Sequence, residues 1–244
     1  MRIYCPPENI SKNTITILDK NQIRHLSQVM RLKVGVRLRI FDGQSREYEC
    51  VISAIDRNRV TLAIQGVRKI AEDKSLSIAL ACAIPKKAKI DFIIEKAAEL
   101  GVDRIIPLRT ERTIVKIEPE GAQRKLKRWQ AIAREAAKQC GRITLPVLDP
   151  VTPFKEALSR IKEYDLSLIP NLGADTQNIN EIMSNFKGRS IIIFIGPEGD
   201  FSESEIALSK AAGVRGASLG DLTLKVDTAA IAVVSFLRFL RLSS

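Results

Sequence analysis

The stretch that decides the fold covers residues 190–228 and reads SIIIFIGPEGDFSESEIALSKAAGVRGASLGDLTLKVDT. Its first part, Ser190–Ile195, is an uninterrupted apolar run rich in β-branched residues, which is typical of a strand buried on both faces. The run stops at Gly-Pro-Glu-Gly (196–199), a tight turn where glycine removes the Cβ and lets a ligand approach the backbone. Ser202 and Glu205 then have capping-box spacing, so we predict that a helix begins there.

A second small turn, Ser-Leu-Gly (218–220), precedes another apolar stretch and a final helix. Two glycine turns that follow two strands are able to clasp one flat, uncharged ligand group between them. A phosphate site fits less well, because the glycine spacing matches neither the dinucleotide fingerprint nor a P-loop, and Glu198 and Asp200 would repel an anion. A turn that serves only chain geometry is the alternative.

Length and composition indicate a globular protein with one large domain or two modest ones. The chain has 244 residues, of which 45% are apolar and 5% aromatic. No apolar stretch reaches transmembrane length, since Arg238 and Arg241 interrupt the last one. The first residues, MRIYCPPEN, lack the apolar region of a signal peptide, so we expect a cytoplasmic protein without a membrane partner.

The cysteine pattern argues against a metal site. Cys5, Cys50, Cys82 and Cys140 form no CxxC pair, and the chain has a single histidine. We therefore predict no metal, and small buried thiols in a reducing compartment.

The net charge of +11 is unevenly distributed. Lys and Arg exceed Asp and Glu by 6 in residues 1–74 and by 6 in residues 75–150, but fall short by 1 in residues 151–244. This division predicts a part that binds a polyanion joined to a part that holds a cofactor. A solvated basic surface without a partner is the alternative.

Periodicity divides the chain into two regions. Residues 36–42, 46–55 and 59–64 alternate or extend as strands, and with a short helix near 21–30 they predict a small β-barrel over residues 1–70. Residues 66–75 are polar and charged and resemble a linker. Strands then alternate with helices over residues 75–244, which implies a mainly parallel sheet covered on both faces. The predicted helices are 86–100, 120–140, 152–163, 178–186 and 229–240.

Several motifs, in order, resemble one enzyme family. They are RHLSQVMRLKVG (24–35), KKAKIDFIIEKAAELGVDRIIPL (86–108), RTERT (109–113), QCGR (139–142) and IGPEGDF (195–201) with Leu219-Gly220 and Thr228-Ala229 after it. Together they are similar to the bacterial small-subunit (16S) ribosomal RNA uridine-N3 methyltransferases of the SPOUT class. The resemblance covers essentially the whole chain.

The resemblance implies a PUA-like β-barrel followed by a SPOUT-type α/β domain with a C-terminal trefoil knot, although knots are rare in general. It also implies S-adenosylmethionine as cofactor, 16S ribosomal RNA or the small ribosomal subunit as partner, and a homodimer. The implied cofactor contacts are Leu172, Ile195, Gly196, Pro197, Glu198, Gly199, Ser218, Leu219, Gly220, Leu222, Leu224 and Thr228. The implied RNA contacts are Arg24, His25, Arg31, Arg112 and Arg142, and Lys225 and Asp227 are the catalytic candidates.

The chain departs from the family pattern in the segment that carries these candidates. The family has Leu-Gly-x-Arg-[IV]-Leu-Arg-x-Glu-Thr-Ala, whereas Leu222, Lys225 and Asp227 replace its two arginines and its glutamate. Asp227 is placed either to pair with Lys225 or to cap the last helix. An RNA-binding or ribosome-assembly protein with weakened or lost turnover is therefore the alternative, as is a methyltransferase for another RNA.

Overall fold

Two separate sheets organise the part of the chain that the computed structural model describes, which is residues 1–69, 76–86, 89–113, 119–171, 173 and 175–240. Each sheet belongs to its own compact unit. The first unit comprises Met1–Glu72 and Ala137–Leu145, and the second comprises Asp73–Ala136 and Pro146–Ser244. The assignment of residues 137–145 to the first unit has no counterpart in the sequence analysis.

The first unit is a five-stranded mixed sheet wrapped around its own apolar core. Its elements are β1 (Arg2–Tyr4), β2 (Thr14–Ile17), α1 (Lys20–Arg24), β3 (Arg37–Phe41), β4 (Arg46–Ile55) and β5 (Val60–Lys69). The strand order is β1-β3-β4-β5-β2, with β1 parallel to β3 and the other pairs antiparallel. Alternation along β3 buries Leu38 and Ile40 and exposes Arg37 and Arg39, as the sequence pattern predicts.

The structure corrects three expectations for this unit. The helix expected over 21–30 is α1 followed by a π-helical turn, His25–Val29. The expected linker overlaps β5, because Lys69 still pairs with Arg46 of β4, and residues 70–75 lie outside the described residues. Strands β1 and β2 were not predicted, since three or four residues are too few to show a period.

The second unit is an eight-stranded sheet whose paired strands are all parallel. Its strands are β6 (Ser77–Ala83), β7 (Arg104–Arg109), β8 (Val147–Leu148), β9 (Thr152–Pro153), β10 (Leu166–Pro170), β11 (Gln177–Asn178), β12 (Ser190–Ile195) and β13 (Arg215–Ser218). The order is β11-β13-β10-β12-β6-β7-β8, and β9 pairs with β7.

Helices cover both faces of this sheet. They are α2 (Lys89–Glu99), α3 (Pro119–Cys140), α4 (Phe154–Ser159), α5 (Ile179–Ser184), α6 (Glu203–Ala212) and α7 (Val226–Leu240). Alternate residues of β12 serve different cores: Ile193 packs with α2 and α7, whereas Phe194 packs with α4. This two-sided burial explains why the 190–195 run is apolar without interruption.

Two helix boundaries differ from the sequence prediction for physical reasons. The helix expected over 152–163 begins only at Phe154, because Thr152–Pro153 pairs with β7 as β9. The last helix begins at Val226 and buries one face, with Ala230, Val233 and Leu237 in the core. Among the described residues, no helix is both long and apolar enough to cross a membrane.

Candidate functional site

A cavity of about 280 Å³ opens at the carboxyl ends of β10, β12 and β13. Three segments of the second unit line it: the end of β10, the turn after β12, and the segment that joins β13 to α7. The carboxyl ends of parallel strands are the edge at which open α/β sheets place their ligands. The two glycine turns that the sequence singled out therefore meet at one cavity.

Most of the expected cofactor contacts line this cavity. They are Ile195, Gly196, Pro197, Glu198, Leu219, Gly220, Leu222 and Leu224. Gly199, Ser218 and Thr228 are not among the lining residues, and Leu172 lies outside the described residues. The Ser218 hydroxyl instead accepts the Gly220 N–H at 3.2 Å, so it shapes the second turn.

The first turn is held by contacts from two neighbouring loops. Glu198 Oε1 accepts the backbone N–H of Lys86 at 2.9 Å. Arg112 Nη1 donates to the carbonyl oxygens of Gly199 at 2.6 Å and Phe201 at 3.4 Å. The loops that follow β6 and β7 thus hold this turn through the Glu198 side chain and the carbonyl oxygens of Gly199 and Phe201. Arg112, which the sequence analysis expects to contact RNA, thus also holds the first turn, and its role toward RNA stays a prediction.

Asp200 completes this turn in a left-handed backbone conformation, with φ of 59°. Its Oδ1 accepts the N–H of Phe201 at 2.7 Å. The resembled family has glycine at this position, which adopts positive φ without strain. Aspartate is one of the few other residues that tolerate this region, and so the substitution preserves the turn.

The second turn has few contacts of its own. Gly220 adopts φ of 111°, and the Leu222 side chain is 77% exposed although it lines the cavity. Lys225 is also exposed and lines the cavity, and no hydrogen bond or ion pair of its ammonium is found in the described part of the chain. Its charge is therefore available to a ligand.

Asp227 pairs with Lys89 rather than with Lys225. Lys89 Nζ lies 3.2 Å from each carboxylate oxygen, and Asp227 occupies the first turn of α7. Burial raises the pKa of the Asp227 carboxyl, but the Lys89 hydrogen bond and the backbone N–H groups of Asp227 and Thr228 outweigh burial and hold the pKa below its usual value. This carboxylate is thus charged and already engaged, which makes it a poor proton acceptor.

Three candidate RNA contacts of the first unit, Arg24, His25 and Arg31, lie close together in sequence and are exposed. Arg24 ends α1, His25 begins the π-helical turn, and Arg31 follows it with φ of 52°. The same segment also exposes Val29 and Met30. Arg142 belongs to this unit too, and its Nε donates to Thr144 Oγ1 at 2.9 Å.

Sequence reasoning missed part of the cavity wall. Pro170, Asn171, Thr223, Val226 and Ala229 also line it. Pro170 ends β10 and Asn171 follows it, so the rule that ligands lie beyond the carboxyl ends of strands would have found them. No sequence signal identifies Lys89, because its partner Asp227 lies 138 residues away.

The site shows no sign of thiol or metal chemistry. Burial, with the charges of Asp227 and Glu198, raises the pKa of the Cys82 thiol to about 12, so it is not a nucleophile at neutral pH. Among the described residues, no group of three or more His, Cys, Asp or Glu is placed to hold a metal ion. Cys5 and Cys50 are buried as expected, whereas Cys140 is exposed.

Comparison with known proteins covers both units. A family model for an RNA methyltransferase domain matches residues 72–238, and one for an RNA methyltransferase PUA domain matches residues 18–65. The ribosomal RNA small subunit methyltransferase E of Rickettsia conorii is 30% identical over 98% of this chain and 95% of its own length. The protein of the same name from Bacillus subtilis is 28% identical over 89% of this chain and 87% of its own.

Solved structures are similar over the same span. A putative methyltransferase from Legionella pneumophila, in complex with S-adenosylmethionine, has a TM-score of 0.87 and 32% identity, covering 98% of this chain and 97% of its own. A ribosomal RNA small subunit methyltransferase E from Neisseria gonorrhoeae, bound to S-adenosylmethionine, has a TM-score of 0.84 and 28% identity, with 98% and 97% covered. Both likenesses thus extend over almost the entire chain.

Proposed function

The chain belongs to the RNA methyltransferase family, with both its methyltransferase and its PUA domain, and we propose that it transfers a methyl group from S-adenosylmethionine to N3 of a uridine in small-subunit ribosomal RNA. The predicted family is confirmed by this membership, and the similar structures confirm the PUA-like domain followed by an α/β methyltransferase domain, and S-adenosylmethionine as cofactor. The observation that carries the proposal is the cavity in which the two glycine turns meet.

The residues at this cavity suit the cofactor. Ile195, Leu219 and Leu224 supply an apolar wall for an uncharged ring, and Glu198 and Asp200 add carboxylates that favour a cation. When bound there, S-adenosylmethionine supplies an electrophilic sulfonium methyl group. We propose that the backbone of residues 196–200 and 218–224 binds this cofactor.

Lys225 is the group we assign to charge stabilisation. Before N3 of uridine can accept a methyl group, it must give up its imide proton to solvent, and the resulting negative charge is shared by N3, O2 and O4 until the methyl group is transferred. A preorganised cation beside these oxygens lowers the barrier most when it has no other partner. The lysine acts as a point charge, without the planar two-pronged contact of an arginine.

The first unit is the part we assign to RNA binding. Residues 1–70 would bind the RNA through Arg24, His25 and Arg31, and Arg142 belongs to the same unit. Residues 75–244 would carry out the methyl transfer. Exchanging Arg24, Arg31 and Arg142 for glutamine should weaken RNA binding and flatten its salt dependence by up to about one slope unit per lost phosphate contact. Cofactor titration should be unchanged, and an unaltered salt slope would remove these arginines from the interface.

Three further features are proposed from the same family. A cytoplasmic location follows from the ribosomal RNA substrate. A trefoil knot is supported by the strand order, because the chain leaves β13 on one side of β10 and returns as α7 over β6 and β12 on the other. A homodimer would cover the open face of α7, where Thr228, Ala232 and Phe239 are exposed. Light scattering that found a stable monomer at micromolar concentration would rule the dimer out.

The deciding experiment is mass-spectrometric nucleoside analysis of small-subunit RNA from cells with and without the protein. We expect one N3-methyluridine to disappear in its absence and to return when purified protein and cofactor are added to unmethylated subunits. An unchanged nucleoside profile with retained RNA binding would instead identify an assembly protein. This alternative arises because Leu222 stands where the family has an arginine. Loss of a different methylated nucleoside would identify another RNA target.

A further inference from the structure

One carboxylate at the start of α7, that of Asp227, has one lysine near it in sequence and another bound to it in space. Lys225 precedes Asp227 by two residues, and Lys89 approaches it from the first residue of α2. Asp227 is bound to Lys89, whose Nζ lies 3.2 Å from both carboxylate oxygens. Lys225 is left exposed at the cavity. The two cations therefore have different tasks, although sequence distance alone would pair Asp227 with Lys225.

The Lys89–Asp227 pair bears on the position of Lys225, which lines the cavity. The Lys225 carbonyl oxygen accepts the Ala229 N–H at 2.8 Å, so the backbone of Lys225 is fixed at the first turn of α7. Its side chain is long and flexible, and an unpaired Asp227 would attract its ammonium across two residues. The Lys89–Asp227 pair is partly shielded, with side chains 38% and 22% exposed, and so it is screened less than a fully exposed pair.

We propose that Lys89 is a positioning residue: by occupying Asp227, it keeps the Lys225 ammonium free to face the bound substrate. Lys89 itself touches neither substrate nor cofactor in this assignment. The inference rests on the proposed function of Lys225 as the stabilising cation. It further implies that Asp227 is not a catalytic group. Its negative charge would draw the Lys225 ammonium away from the substrate, and Lys89 neutralises that charge.

A rescue experiment separates this role from a merely structural one. Lys89→Met should lower the single-turnover rate about fivefold, because the released Asp227 competes for Lys225. The double variant Lys89→Met/Asp227→Asn should recover most of the loss, since asparagine keeps a side-chain oxygen for the backbone N–H groups of the first turn but carries no charge. Lys89→Arg should keep the rate, and cofactor affinity should be unchanged throughout. Lys96→Met, which breaks a pair elsewhere on α2, is the matched control.

A second readout does not depend on turnover. The isotope-labelled side chain of Lys225, followed by NMR, should shift in Lys89→Met and return in the double variant. If the wild-type protein methylates no RNA, the proposed function fails while this readout still tests the pairing. Three results would each overturn the inference. The Lys225 signal does not move in Lys89→Met, or the double variant is as slow as Lys89→Met. The third is a further fivefold loss of rate when Lys89→Met is placed in a Lys225→Ala background.

Discussion

The two glycine turns at the cavity are built in opposite ways. The first, residues 196–200, is tied to Lys86 and Arg112 of two other loops. In the described part of the chain, the second, residues 218–225, is held by the Ser218–Gly220 contact and by the hydrogen bond from the Ala229 N–H to the Lys225 carbonyl oxygen, and it leaves Leu222 77% exposed. A cofactor needs a wall that is in place before it binds, whereas a large RNA substrate needs a segment that adjusts as it arrives. On the proposed function, we expect changes in the first turn to alter cofactor affinity most and changes in the second turn to alter the transfer rate most.

The largest expected effect tests the second turn. Lys225→Ala should reduce the methyl-transfer rate about 100- to 1000-fold, the usual result of removing one charge-stabilising donor. Lys225→Arg should keep or raise the rate, because the family pattern has arginine there. Single-turnover kinetics measure both, with calorimetry showing unchanged cofactor affinity. Equal rates for the three proteins would remove Lys225 from catalysis.

The second-largest expected effect tests the hydrogen bonds that hold the first turn. Arg112→Met should weaken cofactor binding about tenfold, because the carbonyl oxygens of Gly199 and Phe201 lose a charged donor. Arg109→Met, an exposed arginine at the end of β7, is the control and should bind normally. Calorimetry with cofactor and filter binding with RNA distinguish the two roles. If Arg112→Met lost only RNA affinity, the arginine would be an RNA contact after all.

The smallest effect compares two glycines within the first turn. A Cβ on Gly196 would lie 3.1 Å from Asp200 Oδ1 and from the Phe201 ring, whereas a Cβ on Gly199 would make an ordinary 3.6 Å contact with Arg112. Gly196→Ala should therefore cost about 1–2 kcal/mol of stability and some cofactor affinity. Gly199→Ala should be nearly neutral. Thermal denaturation of the two variants measures the contrast, and equal losses would show that the crowding is relieved elsewhere.

The sequence predicted what depends on local pattern. The β12 run, the capping box at Ser202 and Glu205, and the buried residues of α2 all have the structure expected of them. These features depend on neighbours within a few residues, where periodicity and side-chain spacing are informative. The meeting of the two glycine turns was also predictable, because both follow strands of a parallel sheet.

Contacts between distant segments were not predictable. The hydrogen bond from Arg112 to the Gly199 carbonyl oxygen was not foreseen, because a loop arginine alone gives no sign of a partner 87 residues later. Asp227 was expected to pair nearby or cap the helix, since the reach of Lys89 depends on how α2 packs against α7. In both cases the charge was visible in the sequence and its partner was set by tertiary packing.

The assignment of residues 137–145 to the first unit has a consequence for synthesis. The backbone N–H of Leu145 donates to the Gly43 carbonyl oxygen at 3.1 Å, and Thr144 bridges to Gly43 and Gln44. The amino-terminal unit is therefore finished only after residue 145 has been translated, when much of the second unit has already emerged. Domains usually fold in the order of their synthesis. The nascent chain therefore carries a first unit without residues 137–145 while its successor is synthesised, and we expect a fragment ending near residue 70 to be less stable than the same unit in the full chain.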